Sequence, residues 1–380
     1  MTRQIAFLDL PAQQARLKGS IQKRVDAVMA HCRFVLGPEV QELEQRLAEF
    51  GGAKHAIGVS SGTDALLMVL MGEEIGPGDA VFLPAFTYTA TAEVVLLLGG
   101  TPVFVDVDPQ TFQISLESLK ERLEAVRQAG ELEPRVVIGV DLFGQPAPWD
   151  QLKAWTAQEG LTLVADCAQS FGATYHGRRL GHEAKATTLS FFPSKPLGGY
   201  GDGGAILTDD DDLAALYHSL RTHGEGRTRY EVERIGINGR LDTLQAAVLL
   251  AKLDVFGDEL RRRDAIASAY DAAMPEGIVP PVRVADSESA WAIYTILLAD
   301  AGKRDSLQAF LKEAGVPTAI YYPKPLHQQP AYVPHHDGAV LPVAEGLGAR
   351  VLALPIHPEL TDDDVSYIIA ALNRWAGEQA

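Results

Sequence analysis

Apolar residues along the chain fall into two kinds of stretch. Short, almost wholly apolar runs at Val81–Pro84, Val103–Val107, Val136–Leu142 and Leu161–Asp166 alternate with longer segments whose apolar positions recur every three or four residues. The runs predict strands; the segments Tyr88–Leu98, Leu116–Gln128 and Trp149–Gln158 predict amphipathic helices between them. Strands that are apolar on both sides, separated by such helices, predict a largely parallel sheet covered on both faces. Upstream, an extended piece (Ile5–Leu8) leads to helices over Leu17–Cys32 and Val40–Phe50, broken at Gly37 and Pro38. A strand at Ile57–Val59 then meets Ser60, Ser61, Gly62, Thr63 and Asp64, which cap a helix carrying Ala65, Leu66 and Val69. Downstream, strands are expected around Leu189–Phe192 and at Ala205–Thr208, and helices at Leu213–Arg221 and Leu241–Phe256.

The pattern changes after residue 256, where the charged run Asp258–Asp264 and the proline-rich Pro275–Pro281 intervene. The expected division is a large domain over residues 1–256 and a smaller α+β domain over 257–380. The second would hold a helix at Glu259–Met274, a strand at Ala292–Leu298, a helix at Asp305–Ala314 and a C-terminal helix beginning near Thr361.

Composition narrows the function. Of 380 residues, 47% are hydrophobic and 22% charged, as in globular proteins with a sizeable core. The net charge of −17 disfavours nucleic acid and anionic membrane as partners, because both are bound by clustered cations. Arg261, Arg262 and Arg263 form the densest basic run, and Asp264 follows it, as on a solvated helix face. Cys32 and Cys167 have no metal-ligand spacing and make no disulfide framework. No run approaches the ~18 apolar residues of a membrane span and the first residues lack an apolar signal core, so a cytoplasmic location is expected.

Candidate chemistry centres on Thr187–Gly204, where an apolar strand runs into Lys195, framed by Pro193 and Pro196 and followed by a glycine-rich turn. Proline fixes the backbone on both sides, so the direction of this lysine is specified. A lysine amine condenses with carbonyls. With pyridoxal 5'-phosphate (PLP) as the carbonyl, three further fittings are required: an acid for the pyridine nitrogen, an anion site for the phosphate, and a flat group against the ring. Asp166 at a strand end, with Gln169 three residues on, the Gly62–Thr63 helix start with Ser190, and Tyr88 are the candidates. Helix starts bind anions through free N–H groups. The glycines Gly199–Gly204 also prompt a dinucleotide-binding reading. However, they lead into a strand, whereas a dinucleotide fingerprint opens a helix.

The segments Ser190–Gly198, Asp166–Ser170, Gly62–Leu66, Asn238–Asp242, Gly144–Gln145 and Tyr322–Pro330 resemble, in order, motifs of the DegT family of PLP-dependent nucleotide-sugar aminotransferases. The resemblance spans essentially the whole chain. It implies the fold-type-I aminotransferase architecture: an α/β large domain with a mixed, mostly parallel seven-stranded sheet, plus a smaller C-terminal α+β domain. It implies that Lys195 holds PLP as a Schiff base and shuttles the proton. Asp166 would pair with the ring nitrogen, Gln169 would contact the ring hydroxyl, and Tyr88 would stack. Gly62, Thr63 and Ser190 would hold the phosphate, with Asn238 reaching it from the partner of a homodimer. His223, Arg240, Tyr321 and His327 fall at substrate positions; Tyr321 stands where relatives often carry histidine. His335 and His336 are expected to be exposed.

The Lys195–Gly198 ending is similar to the subgroup acting on the 3-keto group of UDP-linked N-acetylglucosaminuronic acid, in surface polysaccharide synthesis. Glutamate is the expected donor. Amination at C4, or at C3, of a different UDP-, GDP- or dTDP-keto-deoxy sugar is the alternative enzyme reading, and a PLP-binding sensor or regulator the non-enzymatic one.

Overall fold

The computed structural model describes residues 3–226, 228 and 230–379. Strands β1 (His55–Val59), β2 (Asp79–Pro84), β3 (Thr101–Val105), β4 (Glu133–Val140) and β5 (Thr162–Asp166) come first in the chain. A small hairpin, β6 (Thr174–Tyr175) and β7 (Arg178–Arg179), separates them from β8 (Ala186–Ser190) and β9 (Gly204–Thr208). Seven of these strands form one sheet in the order β1-β9-β8-β5-β4-β2-β3. Only β9 runs against its neighbours. The sheet is therefore mixed and mostly parallel, as expected.

Helices cover both faces. On one side pack α2 (Pro38–Gly51), α5 (Leu116–Ala129), α6 (Trp149–Glu159) and α8 (Thr243–Leu253). On the other lie α3 (Gly62–Gly72), α4 (Ala90–Leu97) and α7 (Asp211–Leu220). Alternation in β2 explains the apolar strands: Phe82 enters the first layer and Val81 the second, and both are wholly buried. Helix α1 (Leu10–His31) lies against α8 through Leu17 and Ile21.

A separate core gathers α9 (Phe256–Ala273), α10 (Ala301–Glu313) and α12 (Asp362–Gln379) around β11 (Tyr294–Leu297) and β12 (Val351–Leu354). Tyr270, Tyr294, Leu307, Leu352, Ile368 and Trp375 fill it. Strand β10 (Ser287–Glu288) pairs with β6, and α11 (Pro342–Leu347) precedes β12. Among the described residues no helix is long and apolar enough to cross a membrane.

Several boundaries differ from the pattern. α1 begins at Leu10 instead of Leu17, because the Asp9 carboxylate accepts from the Ala12 N–H (2.9 Å) and caps it. β4 spans Glu133–Val140 instead of Val136–Leu142, since Leu142–Gly144 coils into a 3-10 turn in which Phe143 takes φ 62°. The helix expected over Leu241–Phe256 is α8, which ends at Leu253, and the helix expected at Glu259–Met274 is α9, which already begins at Phe256. α4 starts at Ala90, so Tyr88 belongs to the connection after β2.

Candidate active site

Parallel sheets present their sites beyond the carboxyl ends of the strands. A cavity of about 470 Å³ lies there, lined by Gly62, Thr63, Tyr88, Asp166, Gln169 and Ser190, and by Lys195 and Tyr321 among others. Seven residues expected at the site from the sequence are thus brought together beyond the ends of β1, β2, β5 and β8, and an eighth, Tyr321, joins them from the segment after α10.

The lysine turn is held by its own backbone. The Phe191 N–H donates to the Gly203 carbonyl (2.7 Å), and the Gly199 N–H to the Phe191 carbonyl (2.7 Å). The Lys195 N–H closes on the Phe192 carbonyl (2.8 Å). Gly198 is required because a Cβ there would lie 2.4 Å from the Pro193 oxygen. β8 itself stops at Ser190, so Lys195 stands on the turn and not on the strand. Its amine is enclosed by the cleft; burial lowers its pKa, and the charge of Asp166 partly opposes this.

Asp166 ends β5 and is 5% exposed. Burial raises its pKa, against the Thr91 hydroxyl, which donates to Oδ2 (2.9 Å), the Ala168 N–H, which donates to Oδ1 (3.2 Å), and the charge of Lys195. The carboxylate is therefore aimed by a hydroxyl from α4 and by its own turn. Gln169 is fixed as well: its Oε1 accepts from the Phe143 N–H (2.8 Å), and its Nε2 donates to the Tyr322 hydroxyl (3.4 Å).

Behind both stands Asp141, fully buried. Its Oδ1 accepts from the Ala147 N–H (2.6 Å) and the Trp149 Nε1–H (3.0 Å), and its Oδ2 from the Ser170 hydroxyl (2.7 Å) and Cys167 thiol (3.1 Å). Burial pushes Asp141 up to about 7 despite these donors. The carboxylate ties the Cys167–Ser170 turn to the segment after β4.

At the other end, α3 points its first N–H groups at the cavity. Ser61 caps it by accepting from the Asp64 N–H (2.9 Å), which leaves Gly62 and Thr63 facing outward. A Cβ on Gly62 would sit 2.7 Å from Ser190 Cβ, so helix start and strand end meet only because this residue is glycine. The result is a cradle of backbone N–H groups and hydroxyls, suited to a phosphate. Tyr88, 54% exposed, faces Tyr322 across the opening, with ring centroids 6.4 Å apart. Burial raises the Tyr322 hydroxyl's pKa, so it is a neutral donor.

Four expected residues lie outside the cavity. His223 and Asn238 are exposed. Arg240 bridges to Val59, and the Ser60 N–H donates to the Gly239 carbonyl (3.0 Å), which places this segment beside the start of α3 at the rim. His327 is 4% exposed, packed between Phe104 and His336 and hydrogen-bonded to Glu345 (3.3 Å). His336 is partly covered by the same cluster, which corrects the expectation that it is exposed.

Thr91, Tyr322, Asp141 and Arg263 were not singled out as site residues from the sequence. Thr91 and Asp141 were legible only as polar positions flanking apolar elements, and Arg263 was read as part of a solvated basic run. In fact it is 3% exposed and lines the cavity.

A lysine on the turn past β8 and a carboxylate at the end of β5, facing an anion cradle at the start of α3, are the groups a PLP-dependent enzyme requires. The chain belongs to the DegT/DnrJ/EryC1/StrS aminotransferase family, whose profile matches residues 15–373. It is 45% identical over 97% of its length to a Pseudomonas aeruginosa UDP-2-acetamido-2-deoxy-3-oxo-D-glucuronate aminotransferase, 99% of which is covered. A crystal structure of a family member from Brucella abortus superposes with a TM-score of 0.95 at 45% identity, covering 98% of this chain and 100% of that one. The Bacillus subtilis protein NtdA, solved with bound cofactor PMP, gives 0.89 at 26% identity, with 99% and 86% covered.

Proposed function

We propose that this chain is a PLP-dependent aminotransferase that moves an amino group from an amino acid, L-glutamate, to the 3-keto group of UDP-linked N-acetylglucosaminuronic acid. The observation that carries the reading is the placement of Lys195 and Asp166 at one cavity, opposite the Gly62–Thr63–Ser190 cradle. The likeness to the P. aeruginosa enzyme supports the choice of sugar.

When bound, PLP supplies an aldehyde for an amine to condense with and a ring that spreads negative charge from the substrate carbon. The residues present fit it: the glycine-dependent cradle admits a phosphate, and the buried Asp166 has room for a cationic partner. Lys195 Nζ, its pKa lowered by burial, is available unprotonated nearer neutral pH than a surface lysine, and can take a proton and return it. Asp166, aimed by Thr91, would hold the ring nitrogen protonated. Gln169 would contact the ring hydroxyl and Tyr88 would stack on the ring.

The same proposal makes the working unit a homodimer in the cytoplasm. Asn238 and Arg240 would serve the neighbouring subunit's site, which accords with their position at the rim outside their own cavity. It also divides the chain near residue 256, supported by the separate core of β11, β12 and their helices.

The test is spectroscopic. Purified protein should absorb in the visible, glutamate should bleach the band, and Lys195→Ala should abolish the cycle. A colourless protein that takes up no PLP would overturn the reading.

A further inference from the structure

Arg263 is a buried cation without a carboxylate of its own. It projects from α9 to the wall of the cavity, whose lining also includes the apolar Phe7, Leu8, Ile293, Leu354 and Ile356. Nη1 donates to the carbonyls of Trp291 (3.0 Å) and Ile356 (2.9 Å), and buried Nε has no partner. A guanidinium taken out of water and left on neutral acceptors is costly unless an anion joins it.

Its neighbours do not supply that anion. Glu259 and Glu359 are buried nearby, but Arg16 bridges both, the latter at 2.7 Å. Lys252, 2% exposed, adds a third cation whose Nζ has no hydrogen-bond partner and rests over the Tyr200 ring at 4.6 Å. Burial pushes this amine down to about 8, so it keeps its proton at neutral pH. Arg16, Lys252 and Arg263 thus share two carboxylates, which act on Arg263 through space without pairing with it. Arg263 and Lys195 are the only basic residues lining that cavity among the described residues, and Lys195 has another task.

We infer that Arg263 is the carboxylate anchor of the cavity, binding a carboxylate of the reacting substrate through Nη2, the guanidinium nitrogen that is neither bonded nor sealed off. The inference rests on the aminotransferase reading, in which both partners carry such a group: the amino-acid donor at its α-carbon and the sugar at C6. A hydrogen bond between a guanidinium and a carboxylate is charge-assisted at both ends, and the largely apolar lining of the cavity strengthens it.

The experiment compares holoenzyme and its Arg263→Gln variant in the two half-reactions, read by the visible absorbance. Donors are L-glutamate and L-glutamic acid diamide, in which both carboxylates are amides. Acceptors are the 3-keto sugar with a C6 carboxylate and its C6 hydroxymethyl counterpart. The variant should need roughly 10- to 100-fold more of the carboxylate-bearing partner for half-maximal rate, the loss of a charge-assisted pair, and be unchanged toward the neutral one. A loss confined to glutamate identifies the donor carboxylate as the ligand; one confined to the sugar acid identifies the uronate.

Equal loss toward carboxylate and neutral partners, or no loss at all, overturns the proposal. Should Arg263→Gln fail to fold, Arg263→Lys carries the same comparison, with a smaller loss that is still selective for carboxylates. Wild-type enzyme inert toward every donor and acceptor would instead sink the aminotransferase reading itself.

Discussion

Lys195 and Asp166 lose hydration in the same cleft, and this acts on them in opposite directions: the amine's pKa falls and the carboxyl's rises. Each partly restores the other's charge. The carboxylate favours the protonated amine, so removing it should lower the amine's pKa further. Cofactor-free Asp166→Asn should therefore recapture PLP with a pH midpoint below that of wild type, because the unprotonated amine is the reacting form. Titrating the return of visible absorbance against pH measures this; an unchanged or raised midpoint would contradict the coupling. Thr91→Val should leave folding intact yet lower turnover about tenfold, by releasing the Oδ2 hydrogen bond that aims Asp166. Steady-state kinetics beside a thermal melt separates the two effects.

At the scale of elements, the cavity depends on how closely α3 approaches β8. Gly62→Ala would put its Cβ against Ser190, so helix start and strand end must separate. The variant should keep its far-ultraviolet circular dichroism but bind PLP at least tenfold more weakly in equilibrium dialysis. On the far side of the turn, Asp141→Ala would leave donors from Ala147, Trp149, Cys167 and Ser170 without an acceptor, and should destabilise the protein by roughly 3 kcal/mol in urea unfolding. Much of this scale was legible beforehand. The apolar runs marked the main strands, and the Ser61–Thr63 cap, the strand-end Asp166 and the proline-framed Lys195 were readable because each is a local signal. Contacts such as Thr91 with Asp166, or Asp141 with Ser170, join residues 75 and 29 positions apart, and no local pattern reports them. Arg263 misled for the same reason: a run of three arginines looks like a solvated face until α9 is packed against Trp291 and Ile356.

Across the whole molecule, the segment from Thr222 to Arg240 carries an exposed Ile235 (84%) and Val232 (58%) close to Asn238 and Arg240. In the homodimer we propose, this apolar surface belongs to the subunit contact. Ile235→Asp should shift the protein toward monomer by light scattering and lower activity with it; a fully active monomer would contradict the shared site. Joining the scales is the claim that nitrogen leaves an amino acid and reaches the sugar by way of Lys195. The most direct measurement follows ¹⁵N from labelled L-glutamate into the UDP-linked 3-keto sugar acid by mass spectrometry and NMR. The account predicts ¹⁵N on C3 of the sugar with wild-type enzyme and none with Lys195→Ala; an unlabelled sugar, label at C4, or transfer that survives in the variant would contradict it.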